Sequence, residues 1–234
     1  MTRPWLDRRE LGVGRIIPVI MPGSSKWLGD PVAKTGVWRL LDNPILWESR
    51  RITLDIIFRL YPNRVNVLRQ WGMLDEGRSV LDIGCGTGQY QNITDGEYLG
   101  VDLNERYIEH AQRRVRNPNH TFRCADALSL LEESRTFDLV LMVDFLHHLS
   151  DEECTRLLSC AARLGRRVAI FDQISEQSNP ISRWIVAHDR GAYVRPLNRL
   201  TDLISGAGLT IEDSRRVMIG PIVGQAILAR PTST

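Results

Sequence analysis

The sequence has few of the features that mark a secreted, zinc-binding or membrane-spanning chain. Its 234 residues include four cysteines, Cys85, Cys124, Cys154 and Cys160. None stands in a C-x-x-C pair, and no histidine lies at a zinc-ligand spacing from two of them. Reduced, mostly buried thiols are therefore expected, and no metal site. The opening MTRPWLDRRELGVG lacks the apolar core of a secretory signal. The nearest apolar run, IIPVIMP (16–22), is far too short to span a bilayer and carries two prolines. No internal repeat is present. Net charge is +2, too near zero to argue by itself for a nucleic-acid partner. The charge is uneven, with 13 Lys/Arg against 8 Asp/Glu in residues 1–78, and a solvated face is the commoner meaning of such an excess. The expectation is a soluble, cytoplasmic protein with no membrane partner.

About four residues in ten are apolar, enough for a sizeable core. Residues 1–36 mix Pro, Gly, Ser and Trp and read as an irregular arm. Residues 37–76 read as a helical cap: between Asn43 and Gly72, Ile45, Ile52, Ile56, Leu60, Val65, Leu68 and Trp71 recur at helical spacing, with Pro62 expected to divide two helices. Trp38, Trp47 and Trp71 are taken as packing residues of this cap, and residues 40–72 are expected to close over a ligand. From residue 77 short strands alternate with amphipathic segments. Strands are predicted at 79–84, 98–102, 121–125, 137–143 and 167–172, with helices at 105–115 and 152–164. That alternation specifies a doubly wound, mostly parallel sheet. A helix at 197–208 and two closely spaced strands in the tail predict an antiparallel hairpin at the sheet edge.

The chemistry concentrates at VLDIGCGTGQY (80–90). Gly84, Gly86 and Gly88 bare the backbone to a ligand, and Asp82 stands just before them. Asp102 and Asp126 fall at or beside the next two strand ends, where open parallel sheets bind ligands. A dinucleotide would also use a glycine turn and a downstream acid, but Asp82 would repel its pyrophosphate, and the spacing here is G-x-G-x-G. S-adenosylmethionine, which has no phosphate and carries a sulfonium and an ammonium, suits three acids better. Asp82 can meet the ammonium, Asp102 both ribose hydroxyls, and Asp126 with the Ala127 amide the adenine. Leu103 can pack against the purine.

The ordered set VLDIGCGTGQY, YLGVDLNERYIEHAQRR, FRCADAL and FDLVLMVDFLHHLSDEE resembles the class I S-adenosylmethionine-dependent methyltransferases, in particular the type 11 small-molecule group, over roughly residues 65–230. The resemblance implies a seven-stranded Rossmann-like sheet whose last two strands form the hairpin, with residues 77–234 as the cofactor-binding domain. It implies cofactor contacts at Asp82, Gly84, Gly86, Asp102, Leu103, Asp126 and Ala127, and Val143 or Asp144 beside the methionine portion. Cys85 joins that loop as a small residue. Catalysis then consists mainly of aligning the acceptor with the S–CH₃ bond, a base being needed only if the acceptor must lose a proton. His147, His148 and His188 are the candidate bases. Asp144, Trp184, Tyr193 and Arg195 are the candidate acceptor contacts.

The function expected is methyl transfer to an O, N or C nucleophile of a small molecule, such as a natural-product intermediate, with a homodimer possible. Methylation of RNA or protein, or a non-catalytic cofactor-binding subunit, are the alternatives. Against base methylation in nucleic acid, VDFLHH lacks the Asn/Asp-Pro-Pro-aromatic tetrad that clamps a flipped base.

Overall fold

A computed structural model describes residues 43–187 and 193–232. Trp38, the arm 1–36 and His188 lie outside them. Two helices lead into the sheet, α1 (Pro44–Phe58) and α2 (Leu60–Gln70). The strands are β1 (Val80–Ile83), β2 (Tyr98–Asp102), β3 (His120–Cys124), β4 (Leu139–Val143), β5 (Val168–Gln173), β6 (Leu209–Ile219) and β7 (Ile222–Pro231). Between them lie α3 (Glu105–Gln112), α4 (Asp151–Leu164), α5 (Pro180–Ala187) and α6 (Leu197–Gly206). The sheet order is β3-β2-β1-β4-β5-β7-β6. All neighbours are parallel except β5–β7 and β6–β7. The expected five parallel strands and the edge hairpin are thus present, each strand within two or three residues of its predicted ends.

Local chemistry accounts for the helix ends. Asn43 caps α1, its side chain accepting the Ile45 N–H at 2.9 Å, and Pro44 fills the first position, where its missing N–H costs nothing. Ser150 and Glu153 form a reciprocal capping box on α4. The break in the cap differs from expectation. Arg59, at φ 54°, separates α1 from α2, and Pro62 sits inside the first turn of α2, where proline is tolerated because those N–H groups have no intrahelical partner.

Strands β1, β2 and β5 are buried along their whole length, as parallel strands covered on both faces must be. One face packs on α4 and α6 through Val140, Met142, Leu158, Leu200 and Ile204. The other packs on α2 and α3 through Leu68, Tyr98, Ile108, Leu139 and Phe171. The chain runs outward through β1, β2 and β3, then returns to lay β4 beside β1. This reversal leaves a crevice beyond the carboxyl ends of β1 and β4, where a ligand can enter between diverging loops.

The glycines of the β1 loop do different jobs. Gly88, at φ +78°, faces Phe122, whose Cζ would lie 2.5 Å from any Cβ placed there. Gly86, at φ +53°, meets nothing nearer than the Trp47 indole nitrogen at 4.0 Å. Gly88 is therefore a packing glycine and Gly86 the open one. Substituting Gly88→Ala should destabilise the fold by about 2–4 kcal/mol, from left-handed strain and overpacking together. Gly206→Ala, at the end of α6 with nothing within 4 Å, should stabilise it by about 0.5–1 kcal/mol. Denaturant titration of both variants checks the pair.

Candidate active site

At the reversal point the side chains are arranged by sign. Asp82 sits in the middle of β1 and is 1% exposed. Tyr98 from β2 donates its hydroxyl to Asp82 Oδ2 at 2.5 Å. Burial, partly offset by that hydrogen bond and reinforced by Asp102, pushes the Asp82 carboxyl up to about 7. Asp102, at the end of β2, is also buried. Its two oxygens accept the Gly86 N–H at 2.9 Å and the Asn104 N–H at 2.8 Å, which ties the glycine loop to β2. Burial raises its carboxyl against those backbone donors. Each oxygen keeps a second lone pair, so hydroxyls of a ribose can still be accepted.

Leu103, next in line, is 42% exposed, as a residue offering a flat apolar face to a purine would be. Asp126 caps the short 3₁₀ turn that Ala127 begins, its Oδ1 accepting the Leu128 N–H at 3.0 Å. Asp126 is exposed and Ala127 buried. Gly84, at φ +73°, lies against the Phe145 ring. Cys85 turns its thiol inward, toward Gly100, and burial pushes that thiol well above its ordinary value. Its side chain is a packing group, and only its backbone belongs to the loop.

The sequence reading missed a residue that the structure brings here. Arg64 of α2 is 4% exposed. One of its terminal nitrogens reaches both Asp144 oxygens, at 2.7 and 2.5 Å, and the other meets the Tyr90 hydroxyl at 3.1 Å. Burial alone would lower the Arg64 ionisation, but Asp144 and Tyr90 hold it above its ordinary range. A signal existed: Arg64 lies four residues from both Leu60 and Leu68, so it shares their inward stripe, where a charge needs a reason to be buried. Its Nε has no partner, nor does the buried Thr87 hydroxyl in the glycine loop.

These orphaned polar atoms test the fit of the expected cofactor. The amino-acid end of S-adenosylmethionine carries both a carboxylate and an ammonium. The crevice offers a buried cation with a donor to spare and buried carboxylates beside it. Arg64 would hold the carboxylate, and Asp82 the ammonium. The residues fit the group.

Asp144 follows Val143, which closes β4, and takes a left-handed conformation at φ 54°. Its N–H bonds to Phe171 O at 2.8 Å, and its side chain is committed to Arg64, so it belongs to the cofactor side more than to an acceptor. His147 is buried. Its Nδ1 lies 2.5 Å from Asp172 Oδ1, and its N–H bonds to Asp172 Oδ2 at 2.9 Å. The His148 ring packs against it, centroids 4.3 Å apart. Tyr193 joins this group, donating its N–H to His147 O at 3.0 Å.

Arg195 corrects an expectation. Its guanidinium bonds to Asp151, to the carbonyls of Leu146 and Tyr193, and to Leu149 O. It pins the loop after β4 onto α4 and has no donor directed at an acceptor. Trp184 stands on α5, 63% exposed.

Residues 80–167 match the family described as a methyltransferase domain. The chain is 26% identical over 193 residues to a ubiquinone biosynthesis O-methyltransferase of Coxiella burnetii, covering 74% of this chain and 80% of that protein. It is 26% identical over 209 residues to an O-methyltransferase of Pyrenophora dematioidea, covering 81% of this chain and 73% of that protein. Its fold is similar to that of magnesium protoporphyrin IX methyltransferase from Synechocystis with bound S-adenosylhomocysteine, at TM-score 0.59 and 20% identity, covering 85% of this chain and 89% of that one.

The raised Asp82 carboxyl has a measurable consequence. An acid whose value is about 3.8 unfolded and about 7 folded holds more protons in the native state across that interval. Stability of the cofactor-free protein should therefore fall as pH rises from about 4 to about 7. Asp82→Asn should flatten that part of the profile and raise the melting temperature at pH 8, while weakening binding of S-adenosylhomocysteine at least tenfold by loss of the charge facing the ammonium. Thermal melts across pH and calorimetry check both halves; a variant with an unchanged profile would contradict the assignment.

Proposed function

We propose that the chain is a class I S-adenosylmethionine-dependent methyltransferase acting on small molecules, that its acceptor atom is a hydroxyl oxygen, and that His147, oriented by Asp172, removes the proton from it. The observation that carries this reading is the 2.5 Å contact between His147 Nδ1, beyond the end of β4, and Asp172 Oδ1, near the carboxyl end of β5. The O-methyltransferase names of the two relatives agree with it.

Bound S-adenosylmethionine supplies a methyl group already activated by the sulfonium. What this chain adds is position and proton management. The Asp172 carboxylate oxygens accept hydrogen bonds from His147 Nδ1–H and from two backbone N–H groups, those of His147 and Gln173. This fixes the tautomer, so that Nε2 is the basic nitrogen. His147 Nε2 would take the proton of the acceptor hydroxyl as that oxygen receives the methyl group the bound cofactor would supply. Arg195 acts at one remove: by tying Leu146 O, Leu149 O and Asp151 together it holds the loop that presents His147. Leu103, Asp102, Asp126 and Ala127 would seat the nucleoside. Gly84, Gly86, Arg64, Asp82 and Val143 would seat the methionine portion, with Tyr193 and His148 walling the acceptor side. A cytoplasmic setting is consistent with four unpaired thiols, one of them, Cys124, exposed.

His147→Gln should lower kcat about 10²–10⁴-fold toward a phenolic acceptor with little change in cofactor affinity. Its residual rate should lose the rise with pH that a histidine base produces. Asp172→Asn should reproduce much of the loss. A panel of phenols, amines and carboxylates with labelled cofactor supplies the acceptor; equal activity of wild type and His147→Gln would defeat the reading.

A further inference from the structure

Helix α1 is amphipathic in the wrong sense for a surface helix. Its inward side carries Trp47, Glu48, Arg51 and Phe58, with Glu48 buried against His110 and Arg114 of α3. Its outward side carries Ile45, Leu46, Ile52, Ile56 and Ile57, exposed by 43% to 74%. Isolated exposed aliphatics are ordinary, but five on one helix face make a patch that calls for an occupant. The helix is anchored at both ends of the crevice. Trp47 lies beside Gly86 and stacks on Tyr107 at 6.0 Å, while Phe58 lies against Gly220, 3.3 Å from where a Cβ would stand.

Gly220 and Pro221 form the β6–β7 turn. Because Gly224 of β7 pairs with Gln173 of β5, that turn lies at the carboxyl end of the sheet, the end where the candidate site opens. On its other flank α5 is tied down by Ser182 Oγ, which donates to Pro221 O at 2.6 Å. Here too apolar groups face outward: Ile181 is 70% exposed, Trp184 63% and Met218 54%. The two helices and the turn therefore rim the mouth with apolar side chains.

Among the described residues of α1, α5 and the turn, the outward-facing charge is positive. Arg59, Arg183 and Arg216 are exposed and have no ion-pair partner among the described residues. The only acids of α1, Glu48 and Asp55, are drawn inward, one to α3 and the other to the Tyr61 N–H, and α5 contains none. An apolar face edged by arginines, with a tryptophan at its border, matches the boundary layer of an anionic bilayer.

We propose that this end of the molecule docks on an anionic lipid surface, α1 and α5 lying in the headgroup layer, so that the acceptor enters the site from the membrane. No helix among the described residues is long and apolar enough to cross a membrane; the contact is peripheral. The expectation of no membrane partner rested on the absence of a spanning segment and does not bear on surface docking. The inference rests on the methyltransferase reading for where the mouth lies, and the test keeps the two separate.

The full chain is mixed with vesicles of phosphatidylcholine, or of phosphatidylcholine and phosphatidylglycerol, and floated on a density gradient, while S-adenosylhomocysteine binding is measured by calorimetry on the same preparation. The expected result is flotation with the phosphatidylglycerol vesicles, weaker with phosphatidylcholine alone, and falling as salt rises. The combined exposed substitutions Ile52→Gln, Ile56→Gln and Trp184→Ser should cut flotation about tenfold or more, while leaving S-adenosylhomocysteine affinity within about twofold, since surface changes of this kind rarely disturb a fold. Wild-type protein that stays unbound to both vesicle types overturns the proposal, as does flotation that the substitutions leave unchanged. A dimer that they convert to monomer, with no flotation, assigns the face to a second copy and overturns it equally. Loss of S-adenosylhomocysteine binding in the wild type would instead defeat the functional reading.

Discussion

A single buried cation joins the parts of this molecule that matter for its chemistry. Arg64 reaches from α2, through the space above the glycine loop, to Asp144 at the end of β4, with Tyr90 closing the third side. Removing Asp144, itself partly exposed, would leave the buried Arg64 as an uncompensated interior charge. The cap therefore cannot lift away from the sheet without stranding Arg64. The same contact holds Asp144 in a left-handed conformation that a non-glycine residue adopts only at a cost. That conformation turns the chain from β4 into the 3₁₀ turn carrying His147.

The site is built by opposing tendencies. Burial favours neutral groups, yet Asp82, Asp102 and Arg64 are all buried. Asp82 is pushed toward neutrality, whereas Arg64 is kept charged by its partners. On the proposed reading a zwitterionic ligand would resolve both, its ammonium favouring the ionised form of Asp82 and its carboxylate taking up the remaining donor of Arg64. The groups would then be preorganised for charge before the ligand arrives.

The proposed acceptor chemistry sits one strand further along. Asp172 of β5 meets His147 from the turn after β4, and Tyr193, from the segment beyond α5, bonds the His147 carbonyl, so three separate stretches converge on His147. The outward aliphatic face of α1 has no counterpart in that scheme. It contributes nothing to the core, and an exposed apolar surface in water is unfavourable unless something covers it.

Much of this was legible without coordinates. The near-continuous apolar strands separated by amphipathic helices can only be buried on both sides, which dictates a parallel sheet. The glycine loop and its three acids could be read as one set, because carboxylates at strand ends would repel a pyrophosphate and suit a sulfonium. Other features depend on which side chains meet in space. Arg64 stood unread in a helix, since its partner Asp144 is eighty residues away. Arg195 seemed poised to hold a substrate until its guanidinium proved to be filled by backbone carbonyls. Pro62 was an apparent helix breaker, but whether proline ends a helix depends on whether its neighbours need its N–H, and in the first turn they do not. The sequence by itself determined the succession of strands along the chain, the positions of the loops and the sign of the charges, because these follow from periodicity and local backbone freedom. Only the tertiary structure decided which charges are paired, which aliphatic face is left outside and which histidine meets a carboxylate, because those outcomes rest on contacts between segments far apart along the chain.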